Sequence, residues 1–153
     1  MGTFNPAFYV PGASGLTVLQ LWQLYLNPAN AGLLHRLYVA PCSSNPFVQI
    51  AITHQLRQAA EIEVIKVSGS VTISEERIMG AAHEALQALF TVLSDSQWFF
   101  GLETAGHFDA SVFAYTHLLL DEGMAWGENA LGEAVKTHAL LVQHRDRMLK
   151  MYY

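Results

Sequence analysis

The chain has 153 residues, enough for one domain with a real core, and a single cysteine, Cys42, which excludes an intrachain disulfide. Net charge is −5, which argues against a nucleic-acid partner, because phosphates call for a basic stripe. Hydrophobic residues make up 52% and charged residues only 14%, against about 25% charged in an ordinary soluble domain.

The charge deficit is lopsided. Of 8 basic and 13 acidic residues, only Arg36 lies in residues 1–56. A segment this poor in charge has little means of building a solvated surface. It is expected to be covered by another part of the same protein or by a partner. A membrane span does not explain it, because no run approaches the ~18 apolar residues a spanning helix needs. The best stretch, Leu16 to Leu26, is short and carries Gln20 and Gln23.

In chain order, residues 1–15 read as irregular, punctuated by Pro6, Pro11, Gly12 and Gly15. A helix is predicted from Thr17 as N-cap to about Leu26. Gln20 would complete a capping box, and Leu16 with Leu21 a hydrophobic staple. Asn27-Pro28 and Asn45-Pro46 each pair a side-chain acceptor with a residue suited to the first helical turn. They predict a short helix over 28–39 and a longer one from Pro46 to about Lys66. Val48, Ile52, Leu56 and Ala59 form the apolar face of the longer helix; His54, Arg57 and Glu61 form its wet face.

A linker over 67–73 leads to a helix ending near Leu93. Its start is open between a Thr72/Glu75 capping box and a Ser74 cap stapled by Ile73 and Ile78. Ile78, Ala82, Ala85, Leu89 and Leu93 line one side; Glu76, His83, Glu84 and Gln87 line the other. A connection over 94–106 holds Trp98-Phe99-Phe100-Gly101. The next helix, about 107–121, is uncharged from Ala110 to Leu120, the mark of a helix surrounded by others. Asp109 in its first turn can meet free N–H groups and the positive end of the helix dipole. Gly123 to Gly127 breaks the chain, and short helices over about 130–138 and 140–151 end it. No alternating strand pattern of useful length is present.

The chemistry-bearing residues favour structural readings. His138 and His144 are six apart and do not share a helix face, and no metal-ligand spacing such as H-x-x-x-H or C-x-x-C occurs. Neither a metal nor a cofactor is expected. Cys42 precedes a helix start but has no identifiable base. Asp109 reads as a helix-stabilising residue and His117 as a core histidine. Trp98-Phe99-Phe100 reads as a packing plug between helices. No nucleophile elbow supports a catalytic triad.

The order of elements, together with Trp98-Phe99-Phe100-Gly101, Phe108-Asp109-Ala110 and Val112-Phe113-x-Tyr115, resembles the metaxin family. Trp22, Tyr25 and Asn30, then Ala82-His83-Glu84-Ala85-Leu86, and finally Leu140-Leu141-Val142-x-His144 with 147–153 are similar to other parts of that family. The resemblance implies an all-α, glutathione-transferase C-terminal-like bundle over 16–153, with the thioredoxin-like half absent from this chain. It marks Gly101, Phe108, Asp109, Phe113 and Tyr115 as structural and the segment around Trp22 and Tyr25 as a candidate partner contact. Where the family places Ser or Thr as N-cap three residues before the Asp, this chain has Gly106, so the reciprocal box is expected to be half built.

The family's role implies a non-enzymatic subunit of the machinery that sorts and assembles β-barrel proteins in the outer mitochondrial membrane. Such a subunit sits on the cytosolic face, peripheral to the membrane. It is held there by the β-barrel core subunit and a second metaxin-like subunit. The alternative is a glutathione-transferase-like enzyme or its C-terminal fragment, although fold alone is weak evidence of activity.

Overall fold

A computed structural model describes residues 13–69 and 71–152. Among the described residues seven α-helices form the domain and no strand occurs. Helix α1 (Ala13–Leu21) runs on into a π-helical turn, Trp22–Leu26. A 3₁₀ turn (Pro28–Asn30), α2 (Ala31–Leu34) and a second π turn (His35–Val39) form the return. The long helices α3 (Pro46–Ser68) and α4 (Glu75–Leu93) follow. A 3₁₀ turn at Phe99–Gly101 leads into α5 (His107–Leu120), and α6 (Ala130–Lys136) and α7 (Ala139–Tyr152) close the bundle.

Both Asn-Pro starts act as expected. The Asn27 side chain accepts from the Ala29 N–H at 2.9 Å and that of Asn45 from the Phe47 N–H at 2.9 Å. Each satisfies one of the free donors of a helix start. The start of α4 falls after Ser74, which makes no side-chain cap bond. Ile78, Ala82, Ala85 and Leu93 are buried as the spacing predicts.

Four expectations change. Thr17 is not an N-cap, because α1 has already begun by Ala13. The irregular opening predicted for 1–15 therefore loses its last three residues to the helix, and its remainder lies outside the described residues. Helix α3 is turned about its axis relative to the prediction. Ala60 and Val64 are its buried residues, while Val48 and Ala59 are exposed. Arg57, read as wet, points back to α1 and donates to the carbonyls of Tyr25 (3.2 Å) and Leu26 (3.1 Å), orphan acceptors at a helix end. Helix α5 is not surrounded; Ala110, Ser111, Ala114 and Tyr115 face solvent. Small residues made it look buried on all sides, yet they leave its outer face open.

The uncharged first third also covers itself more than its composition suggests. Val18, Leu19, Leu24, Leu33, Leu34 and Val39 are buried in the chain's own core. Leu19 belongs with Leu86, Leu93 and Phe99 to the central cluster, to which α5, α6 and α7 add Val112, Leu131 and Leu141. Its buried polar side chains are tied to the turn before α6. Asn30 uses all four of its hydrogen-bonding positions. Its amide donates to the carbonyls of Gln23 (2.9 Å) and Glu128 (2.8 Å), and its oxygen accepts from the N–H groups of Gly127 (2.9 Å) and Glu128 (3.0 Å). Gln23 donates to Asn129 at 3.0 Å and accepts from the Leu131 N–H at 3.1 Å. Amides and carbonyls do here, inside the domain, what charges would do on a surface.

This clasp explains Gly127. A β-carbon there would sit 2.0 Å from the carbonyl oxygen of Ala29, so the two backbones can approach only at glycine. Gly127→Ala must push the turn off Asn30. Asn30→Ala removes the partners of four backbone groups, the buried Gln23 carbonyl and the part-buried groups of Gly127 and Glu128, at about 1–3 kcal/mol for each left unsatisfied. Both variants are expected to melt at least about 6 °C below wild type, at roughly 2–4 °C per kcal/mol for this size. Gly80→Ala, with nothing within 4 Å of the new methyl at an exposed position of α4, is the control and is expected to melt slightly higher. Thermal melts followed by circular dichroism check all three.

Candidate functional site

Two features stand out as places where this chain could act: a buried acid–imidazole pair and an apolar face on α3. The pair is Asp109 and His144, both 0% exposed. Asp109 lies in the first turn of α5, at the third position after Gly106. One of its oxygens, Oδ2, accepts the Gly106 N–H at 2.9 Å, the return half of a capping box. Glycine has no side chain for the other half, as expected. The second oxygen, Oδ1, accepts the Phe99 N–H at 3.0 Å and the Nε2–H of His144 at 2.8 Å. Every contact to the carboxylate is a donor, as an ionised acid requires.

The pair joins three stretches: the 98–101 turn, the start of α5 and the middle of α7. Around it lie rings. Phe99 meets Phe108 edge-on at 4.8 Å, and His144 meets Phe99 at 5.2 Å and Trp98 at 5.9 Å. Arg147 caps this side, with its guanidinium 5.8 Å from the Trp98 ring centre and its Nη2 donating to the Gln97 carbonyl at 2.7 Å. Trp98 and Phe99 are thus a plug, whereas Phe100 turns outward. Phe100 and Gly101 both adopt left-handed backbone, φ +62° and +67°. Glycine takes this at no cost, but phenylalanine does so at a cost of order 1 kcal/mol.

A histidine on a carboxylate resembles part of a hydrolytic triad. Here neither group meets solvent, and the Nε2 that would take a proton is committed to Asp109. The pair therefore braces the fold. Burial lowers the His144 pKa below its ordinary 6.5, the bond to Asp109 and that residue's charge raise it in part, and the Arg147 charge lowers it.

The other residues singled out in the sequence fall in different places. Phe108 is half-buried against the central core, and Phe113 packs with Trp98 and Met148. Tyr115 is on the open face of α5. Trp22 turns into the core, and half-buried Tyr25 pairs with Tyr38 at 5.8 Å. Burial first, then the charge of Tyr38 and a hydrogen bond to it, push the Tyr25 phenol up to about 12. Trp22 and Tyr25 are both half-buried. His117 is only half-buried, stacked on Phe113 at 5.2 Å and 3.4 Å from an Arg145 nitrogen. Cys42 is exposed, its thiol 3.1 Å from the Tyr38 carbonyl oxygen.

The second feature is the first half of α3. Phe47 is 81% exposed and Ile50 67%, with Val48 beside them; Ile62, 59% exposed, follows in the second half of the helix. Between the first half and His35 runs an open groove of about 470 Å³, lined also by Gln49, Thr53, His54 and Arg57. Sequence reasoning missed both His144 and this groove. The spacing Leu141, His144, Met148 places the histidine on an apolar helix face, a signal that could have found it.

Residues 82–148 match the family model described as Glutathione S-transferase, C-terminal domain. The fold is that of a glutathione-transferase C-terminal-like helical domain. The match runs from the middle of α4 into α7 and takes in Asp109 and His144. Comparison with curated proteins finds no match. No helix among the described residues is long and apolar enough to cross a membrane.

The buried imidazole makes stability depend on pH. A base whose pKa falls on folding binds more protons when unfolded, so unfolding becomes easier once pH drops below about 6.5. Above that value its contribution is intact. His144→Gln keeps a donor for Asp109 but cannot titrate. Wild type is expected to lose more stability than this variant between pH 6.5 and 5, by at most about 1.4 kcal/mol per pH unit. Urea unfolding of both proteins at a series of pH values measures the difference; parallel pH profiles would exclude a depressed His144.

Proposed function

We propose that this chain is a non-enzymatic interaction subunit of metaxin type, acting in β-barrel sorting and assembly on the cytosolic face of the outer mitochondrial membrane. The observation that carries the interaction role is the apolar face of α3. Phe47, Val48 and Ile50 stay exposed, whereas Leu19, Leu24, Leu33, Leu34 and Val39 of the same charge-poor segment fold inward. Phe47, Val48 and Ile50 lie within about one turn of each other at the start of α3, and clustered exposed apolar side chains of this kind mark a contact site. The metaxin type rests on the resemblance over 98–115, whose Asp109 and Trp98-Phe99 form the brace between α5 and α7. The partners under this reading are the β-barrel core subunit and a second metaxin-like subunit.

The family match favours a second reading, a glutathione-transferase-like enzyme or part of one. The sealing of Asp109 and His144 speaks against their use in catalysis. The two readings separate in one pair of assays. Tagged protein captured from mitochondria is expected to recover the β-barrel core subunit, and Phe47→Glu to reduce that recovery at least tenfold without changing the melting temperature. Glutathione conjugation of a standard electrophile is expected to stay at background. Recovery of soluble cytosolic proteins alone, or turnover above background, would overturn the proposal.

A further inference from the structure

We propose that the groove between His35 and the first half of α3 receives a short acidic segment of a partner protein, setting one carboxylate on Arg57 and an adjoining apolar side chain against Pro46 and Ile50. The inference rests on the interaction-subunit reading and adds the chemistry of the partner.

Arg57 is the reason. Its guanidinium carries five N–H donors. Two are spent, from Nε to the Tyr25 carbonyl and from Nη2 to the Leu26 carbonyl. Three remain, on the edge formed by Nη1 and Nη2, which matches the two oxygens of a carboxylate, and Arg57 lines the groove. The two backbone bonds hold the side chain in place, so less rotamer freedom is lost when an anion arrives. No acid lines the groove, and none among the described residues lies within ion-pair distance of Arg57.

The rest of the lining suits the same occupant. Gln49 is already engaged: its amide donates to the Ser43 carbonyl at 2.7 Å, and its oxygen meets His35 Nε2 at 3.3 Å. With Nε2 donating, His35 Nδ1 is an acceptor. The Thr53 hydroxyl gives its hydrogen to the Gln49 carbonyl and can still accept. These acceptors can meet the backbone N–H groups of an incoming chain. Pro46 and Ile50 supply the apolar wall. At about 470 Å³ the groove has the size of an ordinary binding site.

The test is a titration of the intact chain, followed by amide chemical shifts, with two capped pentapeptides that alternate leucine with glutamate or leucine with glutamine. The glutamate peptide is expected to shift resonances at His35 and over 49–57, and to bind at least tenfold more tightly than the glutamine peptide. Ile50→Glu, a change at an exposed position, places a carboxylate in the groove and should weaken the glutamate peptide at least tenfold. Arg57→Gln should do the same, but it also frees two carbonyls of the first helix, so Ile50→Glu is the decisive variant.

Equal affinity for the two peptides overturns the inference, as does an Ile50→Glu protein that binds normally or a set of shifts away from the groove. Sedimentation of the wild-type chain as a dimer that Ile50→Glu dissociates overturns it too, because the occupant is then a second copy. Mitochondrial capture that succeeds while the peptide fails removes this inference alone; peptide binding with failed capture removes only the mitochondrial assignment.

Discussion

One buried carboxylate fixes the arrangement of the C-terminal half. Asp109 holds the N–H of Gly106, the N–H of Phe99 and the imidazole of His144 at 2.8–3.0 Å, with no water access. An isolated charge in such a place would be prohibitive; three donors make it tolerable and also directional. Removing any of these donors leaves the acid short of a partner in an apolar surround. The turn at 98–101, the start of α5 and the middle of α7 must therefore come together in one geometry. The rings of Trp98, Phe99 and Phe108 then pack around that point, and the central cluster of Leu86, Leu93 and Leu141 extends from it.

The other end of the domain solves a different problem by related means. A segment with almost no charge must still fold without excess exposed grease. It does so by burying its leucines and valines and by spending Gln23, Asn27 and Asn30 on the turn at 127–131. Arg36, the lone charge of the first 56 residues, donates to the Met124 carbonyl of the same region. The exposed apolar side chains of this segment include Phe47, Val48 and Ile50 at the start of α3, with Leu37 and Tyr38 before them. The proposed partner-binding role is placed at the start of α3, while the early aromatics Trp22 and Tyr25 are half-buried within the chain, Trp22 against the central core and Tyr25 beside Tyr38.

Local chemistry was readable in the sequence, and distant pairing was not. The Asn-Pro helix starts, the buried side of α4 and the position of Asp109 in a first turn all follow from residues within one or two turns of each other. The start of α1 was misplaced because Thr17 and Gln20 mimic a capping box inside a helix already under way. The Asp109–His144 bond spans 35 residues and the Asn30–Glu128 bonds span 98. Such contacts depend on how helices cross, which helical periodicity does not encode. The rotation of α3 was hidden for the same reason. Its apolar residues are spread round the helix, and the packing of Arg57 on the end of the first helix decides which side turns in.

The central claim, that Asp109 locks the 98–101 turn and the α5 start into the core, is tested most directly by hydrogen exchange of two amides outside regular helix. Phe99 and Gly106 donate to Asp109 and to nothing else that would protect them. Both amides are expected to exchange only on global unfolding, as slowly as those in the middle of α4, and to lose that protection in Asp109→Ala. Exchange of Phe99 and Gly106 at the rate of ordinary loop amides in the wild-type protein would contradict the account.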